Sequence, residues 1–194
     1  MTKQEFWQYF EEHMSALEQF ISSNVHDYTI YNEISDKLRQ YDEHLIPEIT
    51  MDGQGRFVLV LSCDGDREGM PALEHLAENL KDYPNWKIVK YRQPGPMKFI
   101  PLYGRKIMRK DILLSWNRTR DGHYQLTFYL KWHYDRKLYE AGAVLHLDHT
   151  IGEYNSMTLV EEIEFKRIGC FEKISGLKIL DDLRDEIDAL KQPS

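Results

Sequence analysis

The chain of 194 residues predicts an α+β fold, with a mainly antiparallel sheet covered by helices and a pair of helices at the N-terminus. Three observations carry that prediction. Two segments of helical periodicity precede the first strand-like run. Two hairpin signals with Gly-containing turns follow. Further helical segments are interspersed among the hairpin-connected strands, which is the α+β pattern. Nothing like a linker interrupts the sequence, so residues 1–194 are expected to form one domain. Residues 1–46 would be the helical pair, packed on an α+β body of 47–194.

The elements follow in order. Phe6, Tyr9, Phe10, His13, Met14, Leu17, Phe20 and Ile21 recur at helical spacing, and Ser22-Ser23-Asn24 breaks the pattern. Tyr31, Ile34, Leu38, Tyr41 and Leu45 form a narrow seam on a second helix, which Pro47 should end. Ile49 and Met51, then Asp52-Gly53-Gln54-Gly55, then Phe57-Val58-Leu59-Val60-Leu61 read as a hairpin. Its second strand is apolar on both faces and therefore central. Pro71 suits the first turn of a helix carrying Leu73, Leu76, Ala77 and Leu80. Tyr83-Pro84-Asn85 stops that helix, and 86–91 read as a strand. Residues 93–104 are expected to be irregular.

Parity sharpens the second hairpin, within 110–132. Directly paired residues must share a face. A two-residue Asp121-Gly122 turn would set Trp116 against Thr127 and mismatch the faces. A three-residue loop, Arg120-Asp121-Gly122, instead pairs Trp116 with Leu126, Leu114 with Phe128 and Ile112 with Leu130. The prediction is a type I turn with Gly122 left-handed in a bulge. Asp135 then caps a helix running to about Thr150, with Gly152 just past its end. A strand over 157–168 and a C-terminal helix from about Leu177 complete the order.

Composition narrows the function classes. With 42% hydrophobic and 29% charged residues the chain is globular rather than disordered. A net charge of -7 argues against a general nucleic-acid binder, which displaces counterions with many Lys and Arg. Cys63 and Cys170 lie beside apolar strand-like residues and read as two buried thiols in a reducing compartment. The first residues lack a basic segment followed by an apolar one, and no apolar run approaches the roughly 20 residues that span a bilayer. The expectation is a cytoplasmic protein without membrane association. No phosphate-binding glycine motif, nucleophile elbow or zinc motif is present, and Asp64-Gly65-Asp66 lacks the final Glu of a calcium loop. The sequence thus assigns no catalytic residue, metal or cofactor.

Two groups of residues remain as candidates. The first is the polar run from His146 to Glu153. Leu138, Gly142, Leu145 and His149 fall on one helical face, which points His149 toward the core, puts Asp148 at the rim and leaves His146 outside. His149 and Glu153, with Asp148, are candidate pocket residues for acid–base or ligand chemistry, and Trp86 and Arg92 are candidates to stand near them. The competing structural reading is a hydrogen-bonded core histidine, and it prevails because buried polar groups are normally satisfied. The second group is basic. Residues 83–110 hold no Asp or Glu, and Lys98, Arg105, Lys106, Arg109 and Lys110 form a candidate patch interleaved with aromatics. Such a patch suits single-stranded nucleic acid or an acidic protein surface. The reverse holds over 138–165, which is acidic. The simpler expectation is that the two stretches balance each other within the sheet.

The apolar strand 57–61, Pro84-Asn85-Trp86 with Arg92-Gln93-Pro94, and Leu147-Asp148-His149-Thr150-Ile151-Gly152-Glu153-Tyr154 together resemble a group of small bacterial cytosolic domains of unassigned function. The resemblance implies an α+β domain and supplies no activity. The leading expectation is a non-enzymatic protein-interaction or regulatory domain with a protein partner. An enzyme or small-ligand binder around His149 and Glu153 is the rival. Single-strand binding through 83–110 comes third, and the sequence leaves the oligomeric state open.

Overall fold

The computed structural model describes residues 1–23, 27–131, 135–169 and 175–191. The chain divides into two compact units, Met1–Arg92 and Gln93–Ser194.

The first unit opens with α1 (Lys3–Ser22), whose start is a capping box between Thr2 and Glu5. Its apolar face buries Phe6, Trp7, Phe10 and Leu17. Helix α2 (Thr29–Tyr41) buries Ile34 and Leu38. It ends before Leu45, which is buried but lies outside the helix. Pro47 is the second residue of β1 (Ile46–Met51), an edge strand where its missing N–H is tolerated. Strand β1 pairs antiparallel with β2 (Phe57–Ser62), Met51 opposite Phe57. Strand β2 is central and buried from Val58 to Ser62, as its two-faced apolarity implies. Helix α3 (Met70–Leu76) carries the chain over to β3 (Trp86–Lys90), which runs parallel to β2. A parallel neighbour requires such a crossover. Lys3 Nζ donates to the carbonyls of His75 (2.6 Å) and Glu78 (2.8 Å), so the start of α1 caps the end of α3.

The second unit begins with an element the sequence does not announce. Strands β4 (Phe99–Leu102) and β5 (Arg105–Met108) form a hairpin where irregular chain is expected up to residue 104. Its turn is Tyr103-Gly104, both with positive φ (47° and 74°), the type I′ pattern. Strands β6 (Leu113–Arg118) and β7 (Tyr124–Lys131) pair in the expected register, Trp116 opposite Leu126 and Leu114 opposite Phe128. Gly122 has φ 90°, and its N–H donates to the Thr119 carbonyl at 3.1 Å. Ile112 is buried just ahead of the ladder, at the end of a 3-10 turn over Arg109–Asp111.

Helix α4 (Arg136–Ile151) is capped by Asp135, which accepts from the Leu138 N–H at 3.0 Å. Gly152, with φ 86°, ends it and turns directly into α5 (Glu153–Leu159). Residues 157–159 are therefore helical, and the strand expected from 157 starts at Val160 as β8 (Val160–Ile168). Strand β8 lies parallel to β7. A two-residue strand, β9 (Lys178–Ile179), pairs with β6 and leads into α6 (Leu180–Lys191). The sheet order is β8-β7-β6-β9, and its inner face packs Leu114, Leu126 and Phe128 with Tyr139, Leu147 and Leu183. The architecture is α+β, with antiparallel pairing in the hairpins and one parallel pair in each unit.

Helix α4 approaches β5 closely. A Cβ on Gly142 would lie 2.8 Å from Ile107 Cγ2. Gly142→Ala normally gains up to about 1 kcal/mol in a helix interior. Here the overpacking costs about 1–3 kcal/mol, so the expected outcome is net destabilisation. Urea unfolding of the wild type and the variant checks it; a variant more stable than wild type would mean the contact is loose.

Candidate functional site

The buried face of α4 is set by Tyr139, Gly142, Ala143, His146, Leu147, Thr150 and Ile151. That stripe corrects the expected helical phase. His146 is fully buried, Asp148 is buried, and His149 is only half-buried. The bulky Leu138 and Leu145 suggest a face one residue off. The true face is chosen by small residues, Gly142 and Ala143, which let neighbouring elements come close.

His146 Nε2 lies 2.9 Å from the Ile107 carbonyl. A carbonyl only accepts, so Nε2 carries the proton, and Nδ1 is the bare acceptor of the neutral ring. Nδ1 is buried with no hydrogen-bond partner among the described residues. Burial pushes the His146 pKa below its usual value, and repulsion from Arg109 and His149 adds to this against the opposing Ile107 bond. The chain before β4 is tied to the same region. Gly95 N–H donates to the His149 carbonyl at 2.8 Å, and the Gly95 carbonyl accepts from Arg109 Nη1 at 3.3 Å. Arg109 Nη2 in turn pairs with Asp181 on α6 at 2.5 Å. Glu153, first residue of α5, is fully buried.

Trp86 and Arg92 belong to the first unit, whereas Asp148, His149 and Glu153 belong to the second. Within its unit Trp86 is a core residue. Its ring meets Phe10 edge-on at 5.1 Å and stacks with Phe57 at 5.3 Å, and its Nε1 donates to Glu18 at 2.9 Å. Arg92 is only 6% exposed. Its Nε donates to Glu48 on β1 and its Nη2 to Asp64 after β2, the latter at 2.9 Å. The guanidinium fork thereby fastens the edge strand and the exit of the central strand to the end of β3.

The structure sets Lys98, Arg105, Lys106, Arg109 and Lys110 along the β4–β5 hairpin and the turn after it. Lys98, Arg105, Lys106 and Lys110 are exposed, while Arg109 is drawn inward by Asp181. Ile100 and Ile107 face α4, and so by parity do Leu102 and Arg105. On the other face Lys106 Nζ sits 4.5 Å from the centre of the Phe99 ring, a cation–π contact. Between the hairpin and the start of α4 lies a groove of about 510 Å³, lined by Tyr103, Arg105, Asp135, Lys137, Leu138 and Ala141. Spacing gives no hint of Lys137 and Leu138, because they reach the groove from α4. Lys90 pairs with Glu74, Arg92 with Glu48 and Asp64, and Arg109 with Asp181, partners outside the 138–165 stretch.

Among the described residues no group of three or more His, Cys, Asp or Glu is arranged to hold a metal ion, and no helix is long and apolar enough to cross a membrane. Cys63 is buried; Cys170 lies outside the described residues. A scan against models of known protein families finds no match, and a search of curated proteins finds none.

The depressed pKa of His146 sets a pH dependence. The unfolded chain takes up a proton near the ordinary histidine pKa of about 6.5, whereas the folded chain resists it. The contribution is therefore complete above that value and is lost as pH falls toward the folded pKa, by at most about 1.4 kcal/mol per pH unit. His146→Gln keeps an N–H for the Ile107 carbonyl and should flatten this slope between about pH 5 and 7. Urea midpoints across that range test it; an unchanged slope would assign the acid sensitivity to other groups.

Proposed function

We propose that the chain is a non-enzymatic protein-interaction or regulatory domain, and that it receives an acidic protein segment at the β4–β5 hairpin. The observation that carries this reading is Tyr103. Its side chain is 96% exposed at the tip of a structured hairpin, beside Arg105 and Lys137 in the groove against α4. Tyr and Arg concentrate binding energy at interfaces, because a rigid ring or planar guanidinium covers area at low entropic cost. Asp135 also lines the groove, but its carboxylate is engaged with the Leu138 N–H. Arg105 and Lys137 outnumber that single carboxylate, and the groove so favours an anionic partner. Leu138 and Ala141 supply the apolar floor. The interleaved rings and cations also suit single-stranded nucleic acid, but a net charge of -7 weighs against it.

A second reading, an enzyme or small-ligand binder at the end of α4, draws on the burial of His146, Asp148 and Glu153 close together in sequence. It is the weaker of the two, since the neighbouring Arg109 and Gly95 are engaged in structural contacts. A cytoplasmic location and kinship with the small bacterial domains noted above belong to the same proposal.

Affinity capture from a cell extract tests the leading reading, comparing the full chain with Tyr103→Ser and Arg105→Glu. The expected result is a stoichiometric partner on the wild type whose binding weakens at least about tenfold in either variant. Equal recovery by all three proteins, or no partner across conditions, sinks the proposal. A labelled single-stranded oligonucleotide that binds at low salt, and weakens steeply as salt rises, would transfer the hairpin to the nucleic-acid reading.

A further inference from the structure

Strand β8 forms one edge of the larger sheet. Among the described residues β7 is its only strand neighbour. Long edge strands invite pairing with another chain and are usually defended by charge. Here Glu161, Glu162, Glu164, Lys166 and Arg167 are all exposed, while Ile163 and Phe165 are half-buried on the face they share with Leu126 and Phe128. The charges have an order. The first half of the strand is acidic and the second half is basic, so the strand read backwards complements itself.

We propose that β8 is a self-pairing edge, and that two copies of this chain join antiparallel through it to make one continuous sheet. With the two-fold axis at Glu164, Glu162 stands opposite Lys166 of the second copy and Glu161 opposite Arg167. Ile163 stands opposite Phe165. Each pairing occurs twice by symmetry. The faces also agree. Glu162 and Lys166 lie with Gln125 and Tyr129 on one face of the sheet, Ile163 and Phe165 with Leu126 and Phe128 on the other. Cross-strand pairs of opposite charge, and of apolar side chains, are what stabilise adjacent strands. The β-bulge where the β7 register shifts, between Tyr124 and Gln125, leaves Glu161 without a directly paired β7 residue.

One contact opposes the arrangement, Glu164 against Glu164 on the axis. Lys166 Nζ of the same strand already lies 3.0 Å from the Glu164 carboxylate and offsets it. Alternative alignments are poorer. Sliding two residues one way sets Glu162 against Glu164. Sliding the other way sets Ile163 against Arg167 and Glu162 against Ile168. Parallel pairing would place every charge against its own kind. Main-chain hydrogen bonds of the new strand pair supply the affinity, and the side-chain order supplies the choice of partner.

Sedimentation of the full chain over a range of concentrations should show a reversible dimer. Lys166→Glu makes the outer row of the edge wholly acidic, and Glu162→Lys makes it more basic. Each variant alone should dimerise at least about tenfold more weakly. An equimolar mixture of the two should restore a one-to-one dimer, because the acidic row then faces the basic one. The double variant Glu162→Lys/Lys166→Glu should dimerise like the wild type, which guards against a single variant that folds poorly. A wild-type chain that stays monomeric at every concentration, a dimer indifferent to both substitutions, or variants that fail to combine would each overturn the proposal.

Discussion

Gly142 and His146 stand one turn apart on α4, and both meet the same residue, Ile107 on β5. The glycine lets the Ile107 side chain lie against the helix backbone. The histidine donates to the Ile107 carbonyl, tying the main chain of the hairpin to the helix. A two-stranded hairpin is marginal by itself in water. The β4–β5 hairpin persists because its inner face, Ile100 and Ile107, is clamped to a long helix by one apolar and one polar contact at the same place. The groove, the exposed ring of Tyr103 and the placement of the cations all follow from that clamp.

The cost of the arrangement is a buried imidazole with one bare nitrogen. Burying a polar atom without a partner is unfavourable, and burial also favours the neutral ring over the charged one. Arg109, nearby in the same unit, offsets its charge with Asp181 and a backbone carbonyl, although its Nε is likewise buried without a partner among the described residues. Arg92 offsets its charge in the first unit with Glu48 and Asp64. Arg92 and Arg109, two of the three arginines that the sequence offers as functional candidates, thus hold strands and loops in place. The lysines and Arg105, on the hairpin and the turn after it, remain exposed to solvent.

Legibility in the sequence followed locality. The β6–β7 register was readable because parity and an Asp-Gly turn constrain it within some fifteen residues, and the α4 cap and stop were readable from Asp135 and Gly152. The β4–β5 hairpin was not, because Tyr103 occupies a turn position that Asn or Asp usually marks and Pro101 argues against a strand. The parallel pairs β2–β3 and β7–β8 were hidden because the partners are distant in sequence and only the intervening helices bring them together. At the candidate site the residue types were found but the phase of α4 was not. Apolar weight pointed to Leu138 and Leu145, whereas the closest packing is made by residues with little side chain.

Strand β9 is only two residues long, and it meets β6 beside Trp116. Lys178 on that strand places its ammonium 3.9 Å from the centre of the Trp116 rings, and Glu186 on α6 accepts from the indole N–H at 2.9 Å. The indole is therefore held between a cation and an anion, both delivered by the last elements of the chain. When those elements lift away, the ring loses both charges and meets water at once. Its fluorescence, once separated from that of the other three tryptophans, is thus an optical gauge of whether the C-terminal segment is seated.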